Sequence, residues 1–400
     1  MSPEPVAPGR RELLPIYGAG FITAFGAHAV AANLAGFTLS RHGSLWQLGL
    51  LLGVYDLAEV VLKPVFGGLV DRRGAKPVMV GGLLAFALAS GSFALAGQVR
   101  WLGVARLAQG CAAAAFSPAA GAALAAVGGK KRTGRLFGGY GGAKGIGYLL
   151  GPVAGGAMVV AGGYRLLFAI LGALAAVATV AVGTGVAHIR PGQRARSSLA
   201  ALVAQIRRPD FLRPVLLLAA ATGALSAGVG YLPLLGERAH LSPLATGALV
   251  SLLAATAALV QPWAGRRHDR GALPPGAAPL SLVAAAAGFG VAIWQPGPAG
   301  LAVAGVLIGA GVAVSTPLGF ALLAAGAPPD RLGRTMGAGE VGRELGDGGG
   351  PIMVGAFGPV GLQAGLAALA GVLLISAGLV SGAGIRRRSS GTVDAADTQP

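Results

Sequence analysis

The chain has a single cysteine, Cys111. This excludes an intramolecular disulfide and any metal site built from several thiolates. Charge is scarce: Asp, Glu, Lys and Arg make up 11% of 400 residues, under half the ~25% of an ordinary soluble domain. Acidic residues are the scarcer sign, 14 against 31 Lys and Arg. No loop is long enough to gather the clustered His and carboxylates of an enzyme site, so enzymatic chemistry is not expected. No glycine-rich loop ending in Lys-Ser/Thr occurs, which leaves direct ATP coupling without a site. No cofactor or metal is called for. No short apolar segment with a cleavage site precedes the first long hydrophobic stretch, so a cleaved signal peptide is not expected.

What the chain has is apolar length. It is 54% hydrophobic, with 70 Gly and 25 Pro, and its mean hydropathy is +0.70. Stretches near 20 residues recur from end to end, each about long enough to cross a bilayer. A transmembrane barrel would show short alternating segments instead. Breaks in the pattern predict an all-α membrane protein with twelve spans: 15–38, 46–68, 77–97, 100–126, 136–162, 165–187, 214–236, 244–264, 277–295, 299–324, 334–358 and 361–383. The longest interruption, 188–213, separates six spans from six. The predicted organisation is a tail 1–14, a bundle 15–187, a linker 188–213, a second bundle 214–384 and a polar tail 385–400. The stretch from Ser198 to Ile206 has the pattern of a short helix on the membrane surface.

A net charge of +17 invites a nucleic-acid reading, but the placement of the charges excludes it. Sorted by alternate sides of the membrane, 23 of the 31 Lys and Arg fall on the side of both termini, four on the other, and four inside spans. The positive-inside rule then puts both termini in the cytoplasm. The basic surplus also attracts anionic membrane lipid.

The halves repeat at offsets of 198–199. Residues 147–158 read GYLLGPVAGGAM and residues 346–357 read GDGGGPIMVGAF. Gly67 and Asp71 match Gly265 and Asp269. Gly110, Ser117 and Pro118 match Gly309, Thr316 and Pro317. Lys144 matches Arg343, and Gly151-Pro152 matches Gly350-Pro351. Parallel duplicated halves are a transporter architecture with the substrate site between them.

Three motifs carry a family resemblance. The loop after the second span reads GGLVDRRGAKP. Its Gly67, Asp71, Arg72, Gly74 and Lys76 resemble the cytoplasmic signature of the major facilitator superfamily, with Ala75 where an Arg is usual. A degenerate copy, GRRHDRG, contains Asp269. Arg106, Gln109 and Gly110 in the fourth span resemble a motif best known in the family's proton-coupled antiporters. Gly147, Gly151, Pro152, Gly155 and Gly156 resemble the fifth-helix motif of that antiporter branch. Glycines four apart bare one helix face for close packing, and Pro152 permits a bend. The second copy, with Gly350 and Pro351, would do the same in the eleventh helix. The resemblance implies two pseudo-symmetric six-helix bundles that rock against each other.

Charges inside apolar spans mark function or internal pairing. The second span holds Asp56, Glu59 and Lys63; the eleventh holds Glu340, Arg343, Glu344 and Asp347. Spacings of three and four put each set on one helix stripe, and in the family's fold these two helices face each other. Depth counting pairs Lys63 with Glu340 and Glu59 with Arg343. The set reads as a gate, a proton carrier or a permanent lock. Arg106 either faces a cavity or snorkels to the outer surface. His28 is a second candidate proton site, or a histidine bonded to a neighbouring helix. Lys144 has no acidic residue in its own span.

The family's cavity-lining helices here contribute Asn33, Gln109, Phe116, Ser117, Thr222, Ser226, Tyr231, Ser315, Thr316 and Phe320 as substrate-site candidates. The expected function is export of a small amphipathic drug or metabolite in exchange for protons, by a monomer in a bacterial plasma membrane. Proton-coupled import of a small nutrient or metabolite is the alternative, and a non-transporting membrane enzyme or receptor is the less favoured one. The family's exporters of cationic drugs often carry an acid in the first helix. None occurs in the first span here, which opens the choice to neutral or anionic substrates.

Overall fold

The structure, a computed structural model, describes residues 10–95, 99–187, 209–326 and 332–381. The linker's surface-helix stretch and most of both tails fall outside the described residues, as do the side chains of Glu340 and Asp269. Ten α-helices carry the described chain: α1 (Arg10–Leu39), α2 (Leu45–Arg73), α3 (Ala75–Ser92), α4 (Val99–Gly185), α5 (Pro209–Arg238), α6 (Pro243–Asp269), α7 (Ala277–Trp294), α8 (Pro298–Gly326), α9 (Leu332–Ala356) and α10 (Leu362–Ser381). Helices α1 and α5 begin about five residues before the predicted spans, at Arg10 and Pro209.

Helix α4 corrects the expected separation of spans four to six. Its 87 residues would reach about 130 Å if straight, at 1.5 Å per residue. Packing divides it into three legs. Gln109 bonds Ser90, and Gly82 of α3 abuts Phe116, so the first leg runs antiparallel to α3. In the second leg, Gly147, Gly151 and Gly155 climb α1 in step from Phe25 through Ala29 to Asn33, parallel to it. Gly163 takes a positive φ of 70°, open to a residue without Cβ, and the chain turns back. Phe168 then meets Phe93, and Gly172 meets Ala87 of α3. The apolar stretch Gly139–Gly185 is 47 residues long, enough for two crossings. Ten stretches among the described residues are long and apolar enough to cross a membrane. Helix α9 is long enough for another crossing but carries too many charges to be counted with them. With that stretch counted twice and α9 added, the twelve expected crossings are accounted for.

The repeat is visible in loop geometry. His42 and His240, 198 positions apart, both have φ near 60° (57° and 59°). Gly43 N–H donates to Thr38 and Leu241 N–H to Gly236, the same closing bond in each half. Ser44 and Ser242 then cap α2 and α6, each accepting from an otherwise unpaired amide. The sequence carried this signal as His-x-Ser in both copies.

Inside each half, α1 packs on α4 and α5 on α9; across the halves, α2 packs on α9, α4 on α6 and α1 on α5. Leu259, Trp294, Leu88 and Val180 project outward and are 65–80% exposed, the pattern of a surface solvated by lipid tails.

Candidate functional site

Glycine sets the spacing of the helices around the site. A Cβ on Gly151 would lie 2.7 Å from the Phe25 carbonyl oxygen, and one on Gly147 would lie 2.8 Å from the Phe25 nitrogen. The second leg of α4 therefore rests on the backbone of α1. On another face, Gly156 abuts Pro243 and Gly247 abuts Pro152, which joins this leg to α6 of the other half. The second copy repeats both contacts. A Cβ on Gly350 would lie 2.7 Å from Gly223 Cα of α5, and one on Gly49 of α2 would lie 2.6 Å from the Pro351 carbonyl oxygen. Each Gly-Pro segment thus fastens a helix to its own half and to the opposite one. These cross-half seams lie at the end where α2 and α6 begin.

Beyond the seams, toward the end where α1 begins, a cavity of about 490 Å³ opens between α1, α2, α4 and α9. Lys63 on α2 bridges the halves. Its Nζ donates to Glu344 Oε1 of α9 at 2.8 Å and also pairs with Glu59 on its own helix. Arg343 Nη2 donates to the same Glu344 oxygen at 2.7 Å. Glu344 is 7% exposed, and a buried carboxylate persists when it is paired in this way. Carboxylate oxygens of Asp56, Glu344 and Asp347 lie within 4.8 Å of one another. Lys63 and Arg343 bring two positive charges to the same corner, which opposes a bound cation.

The second and eleventh helices face each other, α2 against α9, and the described ion pairs show which charges meet there. Among the described residues the cross-half partner of Lys63 is Glu344, one turn along α9 from Glu340, whose side chain lies outside them. Glu59 pairs with Lys63, and Arg343 pairs with Glu344 beside it.

Arg106 does not snorkel. It is 3% exposed; Nε donates to the Leu51 carbonyl at 3.3 Å and Nη1 to Gln109 Oε1 at 2.7 Å. Its guanidinium lies 4.3 Å from the Tyr55 ring centre. Gly110 makes this possible: a Cβ there would lie 2.8 Å from Tyr55 Cα, so only a bare backbone brings α4 this near α2. Gln109 passes the chain on to Ser90 at 3.1 Å.

Of the substrate-site candidates, Phe116 and Ser117 line the cavity, as does His28. The others lie off the lining of this cavity and make contacts of their own. Asn33 bonds the Ala29 carbonyl and lies against Gly155. Gln109 serves Arg106. Thr222 donates to the Leu218 and Arg343 carbonyls. Tyr231 donates to the Pro351 carbonyl at 2.9 Å, inside the cross-half seam. Ser315 pairs with Ser281 at 2.6 Å, and Thr316 bonds Val312. Phe320 packs with Phe211, Leu218 and Leu323; Ser226 is half-buried on α5, off the cavity wall.

The sequence reading missed the aromatic wall. Tyr55, Tyr140 and Tyr148 line the cavity, and Lys144 Nζ lies 5.9 and 5.8 Å from the Tyr140 and Tyr148 ring centres. The spacing Tyr140–Lys144–Tyr148, four and four, was the available signal, since it lays all three on one helix stripe.

In the signature loop, Gly74 takes φ 86°, and its N–H donates to Val70, so α2 turns directly into α3. Asp71 and Lys76 are half-buried there, and Arg72 is exposed. Gly67 faces open space; close packing does not require it in this conformation.

The sequence model of the Major Facilitator Superfamily matches residues 16–351. The chain belongs to the Major Facilitator Superfamily. Multidrug resistance protein 2 of Bacillus subtilis is 29% identical over 160 residues, 40% of each chain. The methylenomycin A resistance protein of Streptomyces coelicolor is 34% identical over 170 residues, 40% of this chain and 36% of that one. The matches therefore span well under two thirds of these relatives. Among solved structures, an inward-facing, occupied bacterial homologue of the human lysosomal transporter Spinster superposes with TM-score 0.79 at 16% identity, covering 92% of this chain and 95% of that one. A nucleoside transporter superposes with TM-score 0.76 at 15% identity, covering 92% and 96%. The fold is that of the Major Facilitator Superfamily.

Proposed function

We propose that the protein is a secondary active transporter that exports a small amphipathic molecule in exchange for protons. The observation that carries the reading is the cavity between the halves, bridged by the Lys63–Glu344 ion pair and closed at one end by the glycine seams. A cavity open toward one end, with seams that part when the halves rock, is what alternating access requires. The bundles are 15–187 and 214–384, joined by the 188–213 linker. Both termini are cytoplasmic, as the placement of Lys and Arg supports, so the cavity faces the cytoplasm in this conformation. The protein works as a monomer in a bacterial plasma membrane.

The carboxylates Asp56, Glu344 and Asp347 carry the proton. When protonated, Glu344 loosens its hold on Lys63 and Arg343, and the cross-half pair opens. Export is favoured over import by the antiporter-type fifth-helix motif and by relatives named for drug and antibiotic resistance. The test is a compound screen in everted vesicles with and without a proton gradient. The reading expects gradient-dependent accumulation that the empty vector lacks. Uptake into intact cells, with none into everted vesicles, would favour the import alternative.

A further inference from the structure

Lys144 and Arg343 occupy the same place in the two repeats, 199 residues apart, and both face the cavity. Arg343 is neutralised by Glu344, the next residue in its chain. Lys144 is followed by Gly145. The ion pairs among the described residues of this cavity are Lys63–Glu59, Lys63–Glu344 and Arg343–Glu344, and Lys144 is in none of them. Its charge is held between two phenol rings instead. Beside it, Tyr140 is only 9% exposed, and its hydroxyl has no hydrogen-bond partner among the described residues. A buried donor without an acceptor costs free energy unless something arrives to accept it.

The wall around this pair is aromatic. The His28 ring lies tilted against Tyr148 with ring centres 4.2 Å apart, and Phe116 lines the same cavity. A volume of about 490 Å³ is in the range that holds one drug-sized molecule. Resting on the transport reading above, we infer that the cavity selects aromatic anions: a carboxylate or phenolate accepts hydrogen bonds from Lys144 Nζ and the Tyr140 hydroxyl, while its ring lies among Tyr148, His28 and Phe116. A bond between an ammonium and a carboxylate is about twice as strong as a neutral one. A quaternary ammonium of the same shape would meet Lys144 as a like charge.

Equilibrium binding to the purified protein in lipid nanodiscs tests this with three probes of one shape: naphthoate, naphthylmethanol and naphthylmethyl-trimethylammonium. Naphthoate should bind tightest in the wild type. Lys144→Gln should weaken it by about tenfold, the scale of one charge-assisted contact, while Lys144→Arg retains most of it and Tyr140→Phe weakens it less. The wild-type ranking stands even if a variant fails to fold. Binding of the neutral or cationic probe as tightly as naphthoate, or an undiminished affinity in folded Lys144→Gln, overturns the inference. Binding needs no gradient, so the two readings fail separately. Proton-driven export of other compounds without naphthoate selectivity defeats only the inference. Lys144-dependent naphthoate binding without proton-driven transport of any compound defeats only the transport reading.

Discussion

At the scale of residues, the account rests on charges that an apolar span admits only when they are paired. Removing one partner of a fully buried pair costs roughly 3–5 kcal/mol. Lys63 keeps 27% of its side chain exposed, so the cost here is smaller. Lys63→Gln and Glu344→Gln are each expected to impair transport, measured in vesicles at matched protein levels. If Glu344 acts only through the pair, the double variant recovers part of the loss; if it carries the proton, the double variant stays as impaired as Glu344→Gln. Arg106→Lys should lower thermal stability by about 1–3 kcal/mol, because a lysine cannot serve the Leu51 carbonyl and Gln109 in one planar fork. Melting within a degree of the wild type would show those bonds to be dispensable.

At the scale of elements, the paired Gly-Pro segments are places where a side chain would push two helices apart. Gly151→Leu should separate α4 from α1 and destabilise by about 1–3 kcal/mol, as overpacking does, with transport falling further than surface expression. Gly350→Leu should do the same at α5. Gly67→Leu faces open space and is the control; near-normal transport by Gly151→Leu alongside it would reduce the motif to composition. The spans, the repeat and the Gly-Pro motif were legible in the sequence because each is a matter of spacing along the chain. The register of α2 on α9 was not. Span ends are uncertain by about four residues, which is one helical turn, the distance between Glu340 and Glu344. The rotation of each helix was hidden for a related reason. Glycine contacts set it, turning Tyr231 and Asn33 into packing positions and presenting Tyr140 and Tyr148 to the cavity.

At the scale of the whole molecule, two halves meet along seams related by the internal repeat. The orientation predicts that cysteines placed near Arg41 and Arg238 react with an impermeant thiol reagent in intact cells, while one at Arg194 does not. The rocking itself is tested most directly by fastening a seam. A Cβ on Gly358 would lie 3.3 Å from the Leu45 Cβ across the halves, close to the ~3.8 Å typical of a disulfide. In a Cys111→Ser background, Leu45→Cys with Gly358→Cys should transport when reduced, stop when oxidised, and recover on adding reductant. Oxidised protein with a fully formed cross-link that still transports at the reduced rate would contradict the account.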